Sequence, residues 1–204
     1  VLLLAMILMV INKFLAPQRS YAIMTLLFQN GGGEKTIRES NLFFNFVSLT
    51  ILTSFIMLFS MFIQRFYLIY GGNYILHDGV DFFMDIVFVI VTMIIFNYLL
   101  TSLYSWLFKS EEMLLLHVSS VVSLMSLAVM ILIPSILLLL FYPYKFVYVI
   151  TLTLLLILFI IRLIKLLIEV RMLSKLNFVN IFLYLCTIEV LPILVMLKMV
   201  LMIV

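Results

Sequence analysis

Residues 117–141 read HVSSVVSLMSLAVMILIPSILLLLF. No lysine, arginine, aspartate or glutamate interrupts them. A continuous apolar run of this length exceeds the roughly 20 residues that an α-helix needs to cross a bilayer. It also lacks the apolar–polar alternation of a barrel strand. The stretch predicts a transmembrane helix, with Pro134 inside it as a kink.

The same pattern recurs outward from this segment. Toward the C-terminus, Pro143 separates a span at about 145–171, and Ser174-Lys175-Leu176-Asn177 leads into a span at about 178–203. Toward the N-terminus, Lys109-Ser110-Glu111-Glu112 marks a short loop after a span at about 80–108. Gly71-Gly72-Asn73 forms the turn that follows a span at about 42–69. A polar stretch, about 16–41, holds the break Gly31-Gly32-Gly33 and a segment, about 20–29, suited to lie flat as an interfacial helix. The first segment, about 1–15, ends before Pro17. Its apolar part Val1–Ile11 covers only about 16 Å at the helical rise. It reads either as the tail of a longer helix or as a tilted span continuing past Asn12 and Lys13. No basic n-region or A-x-A site marks it as a cleavable signal peptide. The expectation is an all-α, polytopic transmembrane helical bundle of five or six spans: a single domain, 1–204, with no soluble domain.

Composition points the same way. The chain is 67% hydrophobic and 10% charged, whereas soluble domains are roughly half apolar and a quarter charged. The net charge of +3 is small and spread among loops, which argues against a nucleic-acid partner and for the bilayer as the chief one. Cys186 is the one cysteine, so no intrachain disulfide is possible. With alternating spans, Lys13, Arg19, Lys35, Arg38, Lys109, Arg162, Lys165, Arg171 and Lys175 fall on one side. Arg65, Lys145 and Lys198 fall on or near the other. The positive-inside bias then puts the basic segments 12–41 and 162–177 on the cytoplasmic side of the membrane.

Two constellations carry possible chemistry. Glu189 stands near the middle of the last span and Arg162 toward the cytoplasmic end of the preceding one. Charges at bilayer depth are costly and are normally paired, neutralised or used. The plain reading is a structural ion pair, or a protonated glutamate bonded to a neighbouring helix. The functional readings are a proton- or ion-coupled site, or a lipid-headgroup or catalytic site. Pro192, three residues on, removes a backbone bond and kinks the helix beside the carboxylate. The second constellation is His77, Asp78, Asp81 and Asp85 at the extracytoplasmic start of the third span. Carboxylates there complement the helix dipole, which accounts for them without a ligand. A divalent-cation or proton-entry site is the alternative, although the spacing matches no standard metal motif. Arg65, across the hairpin, is the expected ion-pair partner of Asp85.

Ser119, Ser120, Ser123, Ser126 and Met130 form a stripe on the fourth span that reads as close helix packing, with a polar conduit as the alternative. Asn97 is expected to hydrogen-bond across helices. No phosphate-binding loop, zinc-protease, serine-hydrolase or CxxC motif occurs. No metal or cofactor is expected.

The segment Phe182-Leu-Tyr184-Leu-Cys186-Thr187-Ile-Glu189-Val-Leu-Pro192, followed by Lys198, resembles the C-terminal signature of an uncharacterised integral-membrane family of Bacteroidota, classed as a domain of unknown function. Arg162, Pro134 and the basic stretch after the first segment fit the same resemblance. It implies a small polytopic inner-membrane protein and carries no activity with it. Three function classes stay open. Long apolar helices, scarce loops and absent motifs favour a non-enzymatic subunit or scaffold packing against membrane partners. Glu189, Arg162, Asn97 and Asp85 favour a small proton- or ion-coupled transporter. The carboxylates alone favour an enzyme acting on a lipid-linked substrate.

Overall fold

The computed structural model describes residues 1–25, 46–70, 79–108, 111–142 and 144–173. Apart from Val1, Ala16, Tyr142 and Tyr144, all of these are helical. The helices are α1 (Leu2–Leu15), α2 (Pro17–Thr25), α3 (Phe46–Tyr70), α4 (Gly79–Phe108), α5 (Glu111–Phe141) and α6 (Lys145–Leu173). The chain is an all-α bundle. Segments of α3, α4, α5 and α6 are each long and apolar enough to cross a membrane, while α1 is a shorter apolar helix. These features fit a multi-pass membrane protein. The expected span at 178–203 lies outside the described residues.

Local sequence sets the helix ends. Ala16 precedes a proline, which disfavours the helical region for it, and it takes φ −146° and ψ 66°. Pro17 then opens α2, a position where its missing N–H costs nothing. Neither glycine nor proline occurs between Phe46 and Tyr70 or between Val80 and Phe108, so α3 and α4 run unbroken. α5 starts at Glu111, six residues before the expected start at His117, because hydropathy marks the apolar stretch and a helix continues until a breaker. Pro134 sits on an exposed face inside α5. Its ring leaves the carbonyl of Met130 without its usual intrahelical donor.

Contacts between helices fix their directions. Asn12 meets Thr50, while Ala5 packs with Leu58, so α1 runs antiparallel to α3. Val47 and Ile51 pack with Val118 and Val122, and Leu58 and Phe62 pack with Val129 to Leu139. Hence α3 and α5 are parallel. α4 and α6 run the other way: Asn97 meets His117, Arg162 meets Ser120, and Tyr148 packs with Phe62 at a ring separation of 5.3 Å. The core is therefore two stacked apolar clusters on the α3–α5 axis. One surrounds Ile51 and Val122, the other Leu58, Val129 and Leu132.

The α1–α2 pair covers one side of this axis. α2 lies against α5, where the Ser123 hydroxyl donates to the carbonyl of Ile23 at 2.7 Å. Ser123 is nine residues past Leu114, where the apolar part of α5 begins, or about 13 Å along the helix. α2 thus reaches well into the bundle, and Ser20 and Ile23 are buried. Large apolar side chains cover the outer faces of α4 and α6, among them Phe88, Trp106 and Phe146. Tyr142 and Tyr144 stack at 6.1 Å between α5 and α6, at the place for an interfacial aromatic belt.

Candidate functional site

Helices in an apolar medium gain little from hydrophobic association, so polar side chains decide which faces meet. Most hydroxyls here are satisfied within their own helix. Thr53, Ser60, Thr92, Thr101, Ser135, Thr151 and Thr153 each donate to the carbonyl four residues earlier. That arrangement hides the donor without binding a neighbour. A smaller set bonds between helices, and apart from Gln64 with the Gly79 carbonyl it gathers in the half of the bundle where α3 and α5 begin.

α5 is the hub of this set. His117, Ser120 and Ser123 are spaced three apart, so they wind around the helix and meet three different neighbours. His117 Nε2 shares a hydrogen bond with Asn97 Oδ1 on α4 at 3.1 Å, the imidazole tautomer setting its direction. Ser120 Oγ accepts from Arg162 Nε on α6 at 3.0 Å. Ser123 holds α2 through Ile23. A fourth bond, Thr50 Oγ1 to Asn12 Oδ1 at 2.6 Å, ties α3 to α1.

Arg162 brings a permanent charge into this interior, at only 4% exposure. Its guanidinium is planar with five donors, and Ser120 takes one of them. One turn on, Lys165 and Glu169 form an i,i+4 ion pair at 3.4 Å. His117, at 3% exposure, stands one turn from Ser120 on the same helix. A buried arginine and a buried imidazole thus sit one turn apart in level along α5 but toward different neighbours, α6 and α4. Each is suited to lock a helix pair together.

The expected site residues fall out as follows. Glu189, Pro192, His77 and Asp78 lie outside the described residues. Arg162 is interior, and Asn97 bonds across helices. Asp81 and Asp85 sit on an exposed face of α4. The expected Arg65–Asp85 ion pair does not form among the described residues. The hairpin is instead crossed by Gln64, whose Nε2 donates to the Gly79 carbonyl at 2.7 Å. Register is the reason. With Gly79 opposite Gln64, Asp85 lies six residues further down α4, about 9 Å away along the axis. The stripe on α5 is also split. Ser119, Ser123 and Ser126 are buried, whereas Met130 is 51% exposed.

The bonds of Asn12 with Thr50 and of His117 with Asn97 were not expected from the sequence as pairs. The available signal was each polar residue inside or beside an apolar run. No curated protein and no solved structure matches the chain. Residues 1–200 match the family described as "Domain of unknown function (DUF4271)". The chain, a helical bundle of long apolar segments with a set of polar bonds between its helices, thus belongs to the DUF4271 family.

Proposed function

We propose that this chain is a non-enzymatic subunit or scaffold of a bacterial inner membrane, on the resemblance a Bacteroidota one, that packs against other membrane proteins. The observation that carries the reading is how its side chains are used. The interior polar groups bond helix to helix, from His117, Ser120, Ser123 and Thr50 to four neighbours. The outer faces of α4 and α6 offer broad apolar surface, with Phe88 and Phe146 above 70% and Trp106 at 80% exposure. A rigid interior and an aromatic-rich exterior suit a packing role, since buried aromatic side chains anchor interfaces. Support for the orientation comes from Lys13 and Lys165 lying at one end of the bundle and Arg65 and Lys145 at the other. The basic segments 12–41 and 162–177 are then cytoplasmic.

Purification in a gentle detergent followed by mass spectrometry tests this. The expected result is a stoichiometric membrane partner that is lost on Trp106→Ala while the fold is retained. A monodisperse chain with lipid alone would overturn it.

The buried Arg162 favours a second reading, a proton- or ion-coupled transporter in which Glu189 supplies the counter-charge in the last apolar segment. In this reading Glu189→Gln abolishes ion flux in proteoliposomes without unfolding the protein. Unchanged flux, or none in the parent protein, removes it.

A further inference from the structure

Three polar atoms remain without a hydrogen-bond partner on the side of the bundle that α1 and α2 cover: Asn12 Nδ2, Ser54 Oγ and Ser126 Oγ. Asn12 is 1% exposed and both serines are fully buried. The levels of the two serines coincide. Ser54 follows Ile51 by three residues and precedes Leu58 by four; Ser126 follows Val122 by four and precedes Val129 by three. Ile51 and Val122 belong to the lower apolar cluster, which Ile23 of α2 joins. Leu58 and Val129 belong to the upper one, which Ala5 of α1 joins. The two serines are therefore bracketed between the same two layers. Ser54 is also one turn along α3 from Thr50, the residue that holds Asn12. Ser126 is one turn along α5 from Ser123, the residue that holds α2. Both continue a stripe that α1 and α2 cover.

Leaving these groups dry is unfavourable, because a buried donor or acceptor without a partner loses its hydration and gains nothing. Nearby hydroxyls avoid that by bonding back to their own helix, and Ser54 and Ser126 do not. No direct bond joins any two of the three, and a bridging molecule would satisfy them. The set is uncharged, which disfavours an ion. It also needs a ligand that both donates and accepts. Asn12 offers N–H, and each hydroxyl serves as donor or acceptor. The assignment survives a turned amide: Thr50 then bonds one amide atom and the other still faces the groove.

We infer that an ordered water molecule occupies the seam between α1, α3 and α5 and bridges Asn12, Ser54 and Ser126. A single water with two to four polar partners is the usual content of such a site.

The test uses the full chain in proteoliposomes, labelled with 15N-asparagine. Water-edited solid-state NMR should transfer magnetisation from water to the Asn12 side-chain amide, a signal assigned by its loss in Asn12→Leu. Ser54→Ala and Ser126→Ala are measured alone and together by thermal unfolding. Two hydroxyls that hold the same water give non-additive shifts in melting temperature, and helix propensity cancels in the comparison. An amide signal with no transfer from water overturns the inference, as do strictly additive shifts.

Discussion

Arg162 gives its Nε–H to the Ser120 hydroxyl at 3.0 Å while only 4% exposed, so α6 presents a full charge to a serine on α5. A hydrogen bond to a charged group is worth more than one between neutral groups. Removing the acceptor while the cation stays buried also leaves a donor short. Ser120→Ala should therefore destabilise the bundle by about 1.5–3 kcal/mol, and Ser120→Thr should retain most of the stability. Equilibrium unfolding in mixed micelles measures both. A loss no larger for alanine than for threonine would show that the contact contributes nothing.

The Thr50–Asn12 bond is the tie that fastens α1 to α3. Interhelical hydrogen bonds in membranes average about 0.6 kcal/mol and reach roughly 1.7 kcal/mol. A double-mutant cycle with Asn12→Leu and Thr50→Val should give a coupling in that range. The short contact and the 1% exposure of Asn12 place it toward the upper end. A coupling indistinguishable from zero would mean that α1 is held by its apolar contacts with Leu58 and Phe62 alone.

Interior and exterior apolar residues should respond in opposite ways. Leu132 is fully buried between α5 and its neighbours, whereas Trp106 is 80% exposed. Leu132→Ala opens a cavity and should cost about 2–5 kcal/mol. Trp106→Ala should stay within about 0.5 kcal/mol, because it leaves no void inside the bundle. The same unfolding assay ranks the two. Parity between them would contradict the burial pattern.

How much of this was legible beforehand differs by level. Helix type and rough extent followed from apolar runs, since a bilayer-length stretch such as 117–141 has few other solutions. Ends that depend on breakers were also readable, as at Ala16 and Pro17. Register was not. Placing Asp85 opposite Arg65 required the level at which the hairpin closes, and that is set by Gln64 bonding the Gly79 carbonyl, not by hydropathy. Facing was legible only in part. The serine spacing on α5 implied a packed stripe, but Met130, at the same spacing, is exposed. The pairings of Asn12 with Thr50 and His117 with Asn97 join helices whose adjacency a single sequence does not state.

Orientation gives the last prediction. Asn12 meets Thr50 near the start of α3, and Arg162 meets Ser120 near the start of α5. Lys13 and Lys165 therefore share one end of the bundle, and Arg65 and Lys145 share the other. Lysine and arginine are retained on the cytoplasmic side, and the basic segments adjoin Lys13 and Lys165. In a Cys186→Ser background, single variants Lys13→Cys, Lys165→Cys, Arg65→Cys and Lys145→Cys report the side directly. A membrane-impermeant maleimide applied to intact spheroplasts should label positions 65 and 145 and spare 13 and 165 until the membrane is opened. Labelling of 13 and 165 alone would invert the orientation and leave the bundle intact. Labelling of one position from each pair would contradict the antiparallel arrangement of α1 with α3 and of α5 with α6.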